Sequence, residues 1–235
     1  TEIFSISTNS WTNGPDLPQP RYNHGMALAK DGTIFLFGGR LGLEVTNRVI
    51  SLSPKRMKWK RMHPMKEKRS NPGVAVVDNE IFVFGGLDYN YEGLDSCEVF
   101  SVKGGKFIPE MKAIPPMPTA KLDMGVAVIG KRIFVIGGFC SVCYDTCEVF
   151  DTQTNKWSPL PPMPTARFSF GVAVIDDRFI WTFGGRNRDS FPTNVVEVFD
   201  SKKELWNSVP FVLSKLSYHL SAIASSHNIF LLVRV

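Results

Sequence analysis

Long apolar runs are missing from this 235-residue chain, in which no stretch approaches the roughly 18 residues that a membrane-spanning helix needs. The first residues also lack the basic-then-apolar layout of a signal peptide. Cysteine is scarce: the four residues at 97, 140, 143 and 147 are too few and too clustered for a disulfide framework, and no N-x-S/T glycosylation acceptor occurs. These absences set the expectation of a cytoplasmic chain with no membrane contact. Helical periodicity is lacking too. A hydrophobic content of 43% with 21% charged residues excludes disordered, collagen-like and coiled-coil classes.

Positive charge is unevenly spread. Of the net +5, residues 55–69 hold Lys55, Arg56, Lys58, Lys60, Arg61, Lys66, Lys68 and Arg69 against Glu67 alone, a local +7 that leaves the rest at −2. A nucleic-acid patch would need that run on one face. The strand assignment breaks it up: Lys55 and Arg56 fall at a hairpin, Lys66, Lys68 and Arg69 in a link at the opposite end, and Lys58 and Lys60 flank Trp59 on an outer strand, where lysine guards an edge against pairing. No nucleic-acid partner is expected.

What is abundant is repetition. Tryptophans at 11, 59, 157 and 206, with Phe107 in the gap, are spaced 48, 48, 50 and 49 residues apart, which makes five units. Gly-Gly pairs at 38–39, 85–86, 137–138 and 184–185 follow those aromatics by 26 to 30 residues, and the fifth slot holds Val233-Arg234 instead. Glu2, Glu98, Glu148 and Glu197 each stand nine residues before their aromatic, whereas the second unit reads RVIS at 48–51. Within a unit, β-branched and aromatic runs alternate with turn chemistry, predicting four short strands. Around 167–209 these are GVAVI, RFIWTF, VEVF and KELWNSV; Asp31-Gly32 and Asp78-Asn79 mark a two-residue hairpin between the first two strands of earlier units. Proline-rich links such as PMPTAK at 116–121 and PMPTAR at 162–167 join one unit to the next.

The succession of an aromatic, P-x-x-R, GVAV, an IFVFGG run and an E-V-F strand resembles the kelch repeat over the whole chain, most of all the kelch domains of BTB-kelch proteins, which are typically six-bladed. The expected fold is all-β: a kelch-type β-propeller of four-stranded blades, one domain over 1–235, with four intact blades and two terminal half-blades. It is five-bladed if its ends pair, or a fragment of a six-bladed ring in a longer protein.

Alternating strand direction gathers the inter-unit links and the long segments 40–47, 87–96, 139–146 and 186–195 on one face, where variable loops on a rigid scaffold carry binding. The glycine pairs, with no helix following, are expected to serve a backbone bend rather than a phosphate, and the recurrent tryptophans to pack between blades. In the kelch domains this chain resembles, residues just after Gly-Gly and just after the P-x-x-R link line the partner-binding mouth. The matching positions are Arg40, Leu87, Phe139 and Arg186, with Arg188 two further on, and Tyr22, Ser70, Leu122 and Phe168; Tyr89 and Tyr91 complete the candidate set. Deeper positions that are basic in some family members are Gly93, Cys143 and Pro192 here, which argues against a strongly acidic partner motif.

Cys140, Cys143 and Cys147 form C-x2-C-x3-C, and Cys97 repeats the Cys147 position one unit earlier. A zinc site is conceivable on that pattern, but small buried residues are expected before EVF, so no metal or other cofactor is anticipated. His24, His63, His219 and His227 lack ligand spacing and no catalytic constellation recurs, so no enzymatic residues are assigned, although some kelch-type propellers are oxidases or sugar mutarotases. The resemblance implies a protein-interaction module, foremost the substrate-recognition propeller of a cullin-type ubiquitin-ligase adaptor, whose cullin contact would lie in a BTB region absent here; actin is the alternative partner.

Overall fold

The computed structural model describes residues 1–5, 7–103, 106–109, 114–218, 221–225 and 228–232; Val233-Arg234, His219 and His227 lie outside them. Every described regular element is a strand. Four antiparallel four-stranded sheets follow one another: blade I from Gly25–Leu28, Ile34–Phe37, Val49–Ser53 and Lys58–Arg61; blade II from Gly73–Val77, Glu80–Phe84, Cys97–Lys103 and Lys106–Pro109. Blade III uses Gly125–Ile129, Arg132–Ile136, Cys147–Asp151 and Lys156–Leu160, and blade IV uses Gly171–Ile175, Phe179–Phe183, Val196–Asp200 and Leu205–Ser208. Their first strands adjoin in sequence order, and the terminal hairpin Ser221–Ser225/Asn228–Leu232 lies against the first strand of blade IV. The opening hairpin Glu2–Ser5/Ser10–Asn13 stays a separate two-stranded sheet, and no bridge joins it to the last hairpin among the described residues.

One turn expectation needs correcting. Asp78-Asn79 is a two-residue hairpin, but Leu28 pairs with Ile34, so Asp31-Gly32 sits inside a longer loop closed by Ala29 and Thr33. The Thr33 amide donates to Asp31 Oδ1, a local bond that favours the wider turn.

Strand alternation sends successive side chains to opposite neighbouring blades. Phe35 and Phe37 of blade I pack on Phe100 and Phe107 of blade II, with Phe35 and Phe107 ring centroids 5.0 Å apart. Ile81 and Val83 join that cluster, while Phe82 and Phe84 turn to Ile133, Val135 and Phe150 of blade III. Strand-four tryptophans bolt each blade to the link before it: the indole N–H groups of Trp59, Trp157 and Trp206 donate to the carbonyls of Pro15, Pro115 and Pro161 at 3.0–3.1 Å. Phe107, lacking a donor, is held by ring stacking and apolar packing instead.

A second connection is polar and buried. Arg69, Lys121 and Arg167, the cations ending three successive links, are 0% exposed. Each reaches a strand-three glutamate of its own blade: Arg69 Nη2 to Glu98 at 3.1 Å, Lys121 Nζ to Glu148 at 3.0 Å and Arg167 Nη2 to Glu197 at 2.6 Å. Arg69 and Arg167 also donate to the first Gly-Gly carbonyl, Gly85 at 2.7 Å and Gly184 at 2.8 Å. Their backbone carbonyls face the other way: those of Arg69, Lys121 and Arg167 accept the amides of Gly39, Gly86 and Gly138 in the preceding blade at 2.8–2.9 Å. One residue thus fastens two blades. This also explains the glycines, since a Cβ on Gly38 would stand 2.2 Å from the Arg69 carbonyl oxygen.

Breaking one partner of such a pair strands a buried charge, at a cost of about 3–5 kcal/mol. Glu197→Ala is therefore expected to lower the melting temperature by on the order of 10 °C, and Glu98→Ala by less, because Glu67 also reaches Arg69 at 3.2 Å. Equal losses in calorimetry would contradict that ranking. On the open side of blade I, Met26 and Leu28 are 65% and 62% exposed and Trp11 is 64% exposed, whereas their counterparts in later blades are half-buried or buried. Sedimentation velocity should show concentration-dependent self-association of the chain, and Met26→Lys with Leu28→Lys should suppress it.

Candidate partner-binding face

Beyond each Gly-Gly bend, the chain emerges on the face where the links arrive. The two sets of residues selected from the sequence meet there in pairs: Tyr22 bridges Arg40, Ser70 bridges Leu87, Leu122 bridges Phe139 and Phe168 bridges Arg186. Each bridge is a reciprocal pair of backbone hydrogen bonds of 2.8–3.3 Å. The loops then fold back on themselves. Arg40 pairs with Val45, Leu87 with Gly93, Phe139 with Cys143 and Arg186 with Pro192, so the long variable segments are short ribbons.

Side-chain positions differ around this scaffold. Tyr22 is exposed and its hydroxyl donates to the Gly42 carbonyl at 2.9 Å. Ser70 is fully buried with its Oγ directed at the Leu87 carbonyl, so it presents nothing to a partner and leaves the candidate set. Phe139 and Phe168 are half-buried and pack on one another at 5.1 Å, joining the loops of blades III and IV. Arg40 lies 4.9 Å above the Tyr91 ring and donates to the Leu43 carbonyl at 3.3 Å. Arg186 lies 3.9 Å from the Tyr218 ring centroid and donates to the Ser190 carbonyl at 2.7 Å, while Arg188 pairs with Asp145 of blade III at 3.2 Å. Arg40 and Arg186 are thus occupied within the loops, each against an aromatic ring, while Arg188 stays mostly exposed.

Among the exposed residues of these loops are several large apolar and aromatic side chains. Tyr89 and Tyr91 are 64% and 66% exposed, and Leu43, Val142 and Phe191 occupy the tips of the blade I, III and IV loops at 88%, 56% and 67%. Leu43, Val142 and Phe191 escaped sequence reasoning. Their signal was one large apolar residue at the tip of each equivalent loop, separated from its Gly-Gly pair by a variable number of residues.

Three of the four cysteines are held as thiols by their surroundings. Burial, the leading cause in each case, pushes Cys97 up to about 12 and Cys143 and Cys147 up to about 11. Cys97 and Cys147 occupy equivalent sites and direct Sγ at the Asp95 and Asp145 carbonyls, while Cys140 Sγ fills the space where Gly93 has no side chain. Among the described residues no group of three or more His, Cys, Asp or Glu could hold a metal ion.

Radial four-stranded blades with ribbon loops gathered on one face define a β-propeller presenting an interaction surface. The family profile of the KLHDC2/KLHL20/DRC7 Kelch-repeats domain matches residues 2–185, and the Kelch motif matches 166–210. The chain belongs to the Kelch-repeat family. It is 28% identical to mouse Kelch-like protein 36 over 67% of this chain and 26% of that protein. It is 26% identical to Beta-scruin of Limulus polyphemus over 86% of this chain and 23% of that protein, and 24% identical to Kelch repeat and BTB domain-containing protein 1 of Horsepox virus over 86% and 36%. The chain therefore spans about a quarter to a third of the length of these relatives.

Raised thiol pKa values make a pH prediction. A group whose folded pKa lies above its unfolded value stabilises fully below the unfolded value and loses that contribution as pH climbs to the folded one. For these thiols the window opens at the ordinary 9.0 and extends to about 11–12, so stability should fall on that alkaline limb. Cys97→Ala with Cys147→Ala should flatten the limb in pH-dependent thermal unfolding; an unchanged limb would contradict the assignment.

Proposed function

We propose that this chain is the substrate-recognition propeller of a BTB-kelch adaptor for a cullin-type ubiquitin ligase, working in the cytoplasm and capturing its protein substrate on the loop face. The observation that carries the reading is the run of exposed apolar and aromatic tips, Leu43, Tyr89, Tyr91, Val142 and Phe191, on four successive loops of one face. Large exposed apolar side chains gathered on one face are the composition of an interaction site, and tyrosine is favoured at its energetic centre. Rigid presentation lowers the ordering cost of binding, because the ribbons and the Arg40–Tyr91 contact fix the tips beforehand. Kelch-repeat relatives with a BTB region in their printed name agree with an adaptor role.

The test is affinity capture from cells with the parent protein and with residues 1–235 alone. The parent should recover a cullin together with a substrate, and the propeller should recover the substrate without the cullin. Tyr91→Ala with Phe191→Ala should weaken substrate capture at least about 30-fold, with a melting temperature within about 2 °C of wild type. Undiminished capture by the folded double variant would refute the loop face as the site. Co-sedimentation of the isolated propeller with purified actin filaments, and no cullin with the parent, would favour the cytoskeletal reading.

A further inference from the structure

The buried cation–carboxylate unit recurs in blades II, III and IV, and blade I carries only half of it. Strand register fixes the comparison. Glu98, Glu148 and Glu197 pair with Val83, Val135 and Thr182 on strand two, and the same position of blade I, opposite Leu36, is Ile50. The cation nevertheless remains. Arg21 makes the same carbonyl bonds as Arg69 and Arg167, to Gly38 at 3.3 Å and to Arg48 at 3.4 Å. Among the described residues it has no carboxylate partner, and neither has Arg48, whose Nη1 donates to Gln19 Oε1.

The Arg21 guanidinium therefore rests on the Arg48 backbone carbonyl, with the Arg48 charge acting on it, in a blade whose glutamate position is Ile50. Burial first and the Arg48 charge second push Arg21 below its ordinary pKa; burial and then the Arg21 charge do the same to His24, three residues on. A half-buried guanidinium without an oxyanion is unfavourable, and its fork matches a carboxylate with two parallel hydrogen bonds. Gln19, which occupies the place of the threonines that bond Glu148 and Glu197 in blades III and IV, adds a neutral donor to the rim.

We propose that Arg21, Arg48 and Gln19 form a carboxylate-binding site on blade I, filled from outside where blades II to IV carry a built-in glutamate. The carboxylate comes either from a free small acid or from an Asp or Glu side chain of a bound protein. The site is separate from the loop tips, although Arg21 directly precedes Tyr22 on the loop face.

Thermal unfolding in sodium acetate against sodium chloride at equal ionic strength tests it, with a second titration by the capped peptide acetyl-Gly-Glu-Gly-amide. A saturable rise in melting temperature of about 3 °C over chloride is expected. Acetate as the tighter ligand assigns a small-acid site; the peptide as the tighter ligand assigns a protein side chain. No saturable response to either overturns the proposal. Ile50→Glu supplies the missing group, so it should fold despite placing an acid at a position 3% exposed, and should lose the acetate response. Arg48→Ala, a change at an exposed side chain, should weaken the apparent affinity for acetate at least about ten-fold. A wild-type response in either folded variant also overturns it, whereas Lys58→Ala with Lys60→Ala, on the outer strand, should leave the response intact.

Discussion

A buried cation at the end of each of the three links that join blades I to IV is the constraint on which the rest of this propeller depends. Its side chain satisfies a glutamate of one blade, and its backbone carbonyl receives a glycine amide of the blade before. Burying such a charge is unfavourable unless every surrounding polar group is aligned, so the unit works as a specificity device: it tolerates one relative placement of two blades and penalises others. Apolar contacts between blades are less particular, since Phe, Val and Ile interdigitate in more than one offset.

The loop face inherits that precision. Each buried cation is followed directly by a bridge residue, so Ser70, Leu122 and Phe168 are placed by the same chemistry that joins the blades, while Tyr22 follows the half-buried Arg21. Their loops are then free to differ in length and tip residue without disturbing the scaffold. Arg40 and Arg186, which looked available from sequence, are spent in holding aromatic rings, and large apolar side chains stand exposed at the loop tips.

The blades were legible because packing between like units demands the same residue at the same period. Trp157 and Trp206 meet equivalent surfaces and so recur at equivalent positions, and Phe107 could be placed by spacing alone. The buried cations were less visible, since Arg69 ends a run of exposed lysines and arginines and looks like part of it. Its burial depends on Glu98, 29 residues away, a partnership that only the repeat of P-x-x-R with E-V-F could have suggested. Ser70 was misjudged because the bridge to Leu87 turns its small side chain inward, whereas Tyr22 at the same position is too large to follow. Side-chain direction at an isolated bridge follows from packing that the local sequence does not encode.

Hydrogen exchange at the amides of Gly39, Gly86 and Gly138 tests the central claim most directly, because each donates to the carbonyl of a buried cation in the next link. If that unit sets blade placement, these amides should exchange only through the global opening, as slowly as the slowest second-strand amides such as Phe82 and Phe134. Exchange at the rate of the loop-tip amides would show that the blades are held by their apolar faces alone and would contradict the account.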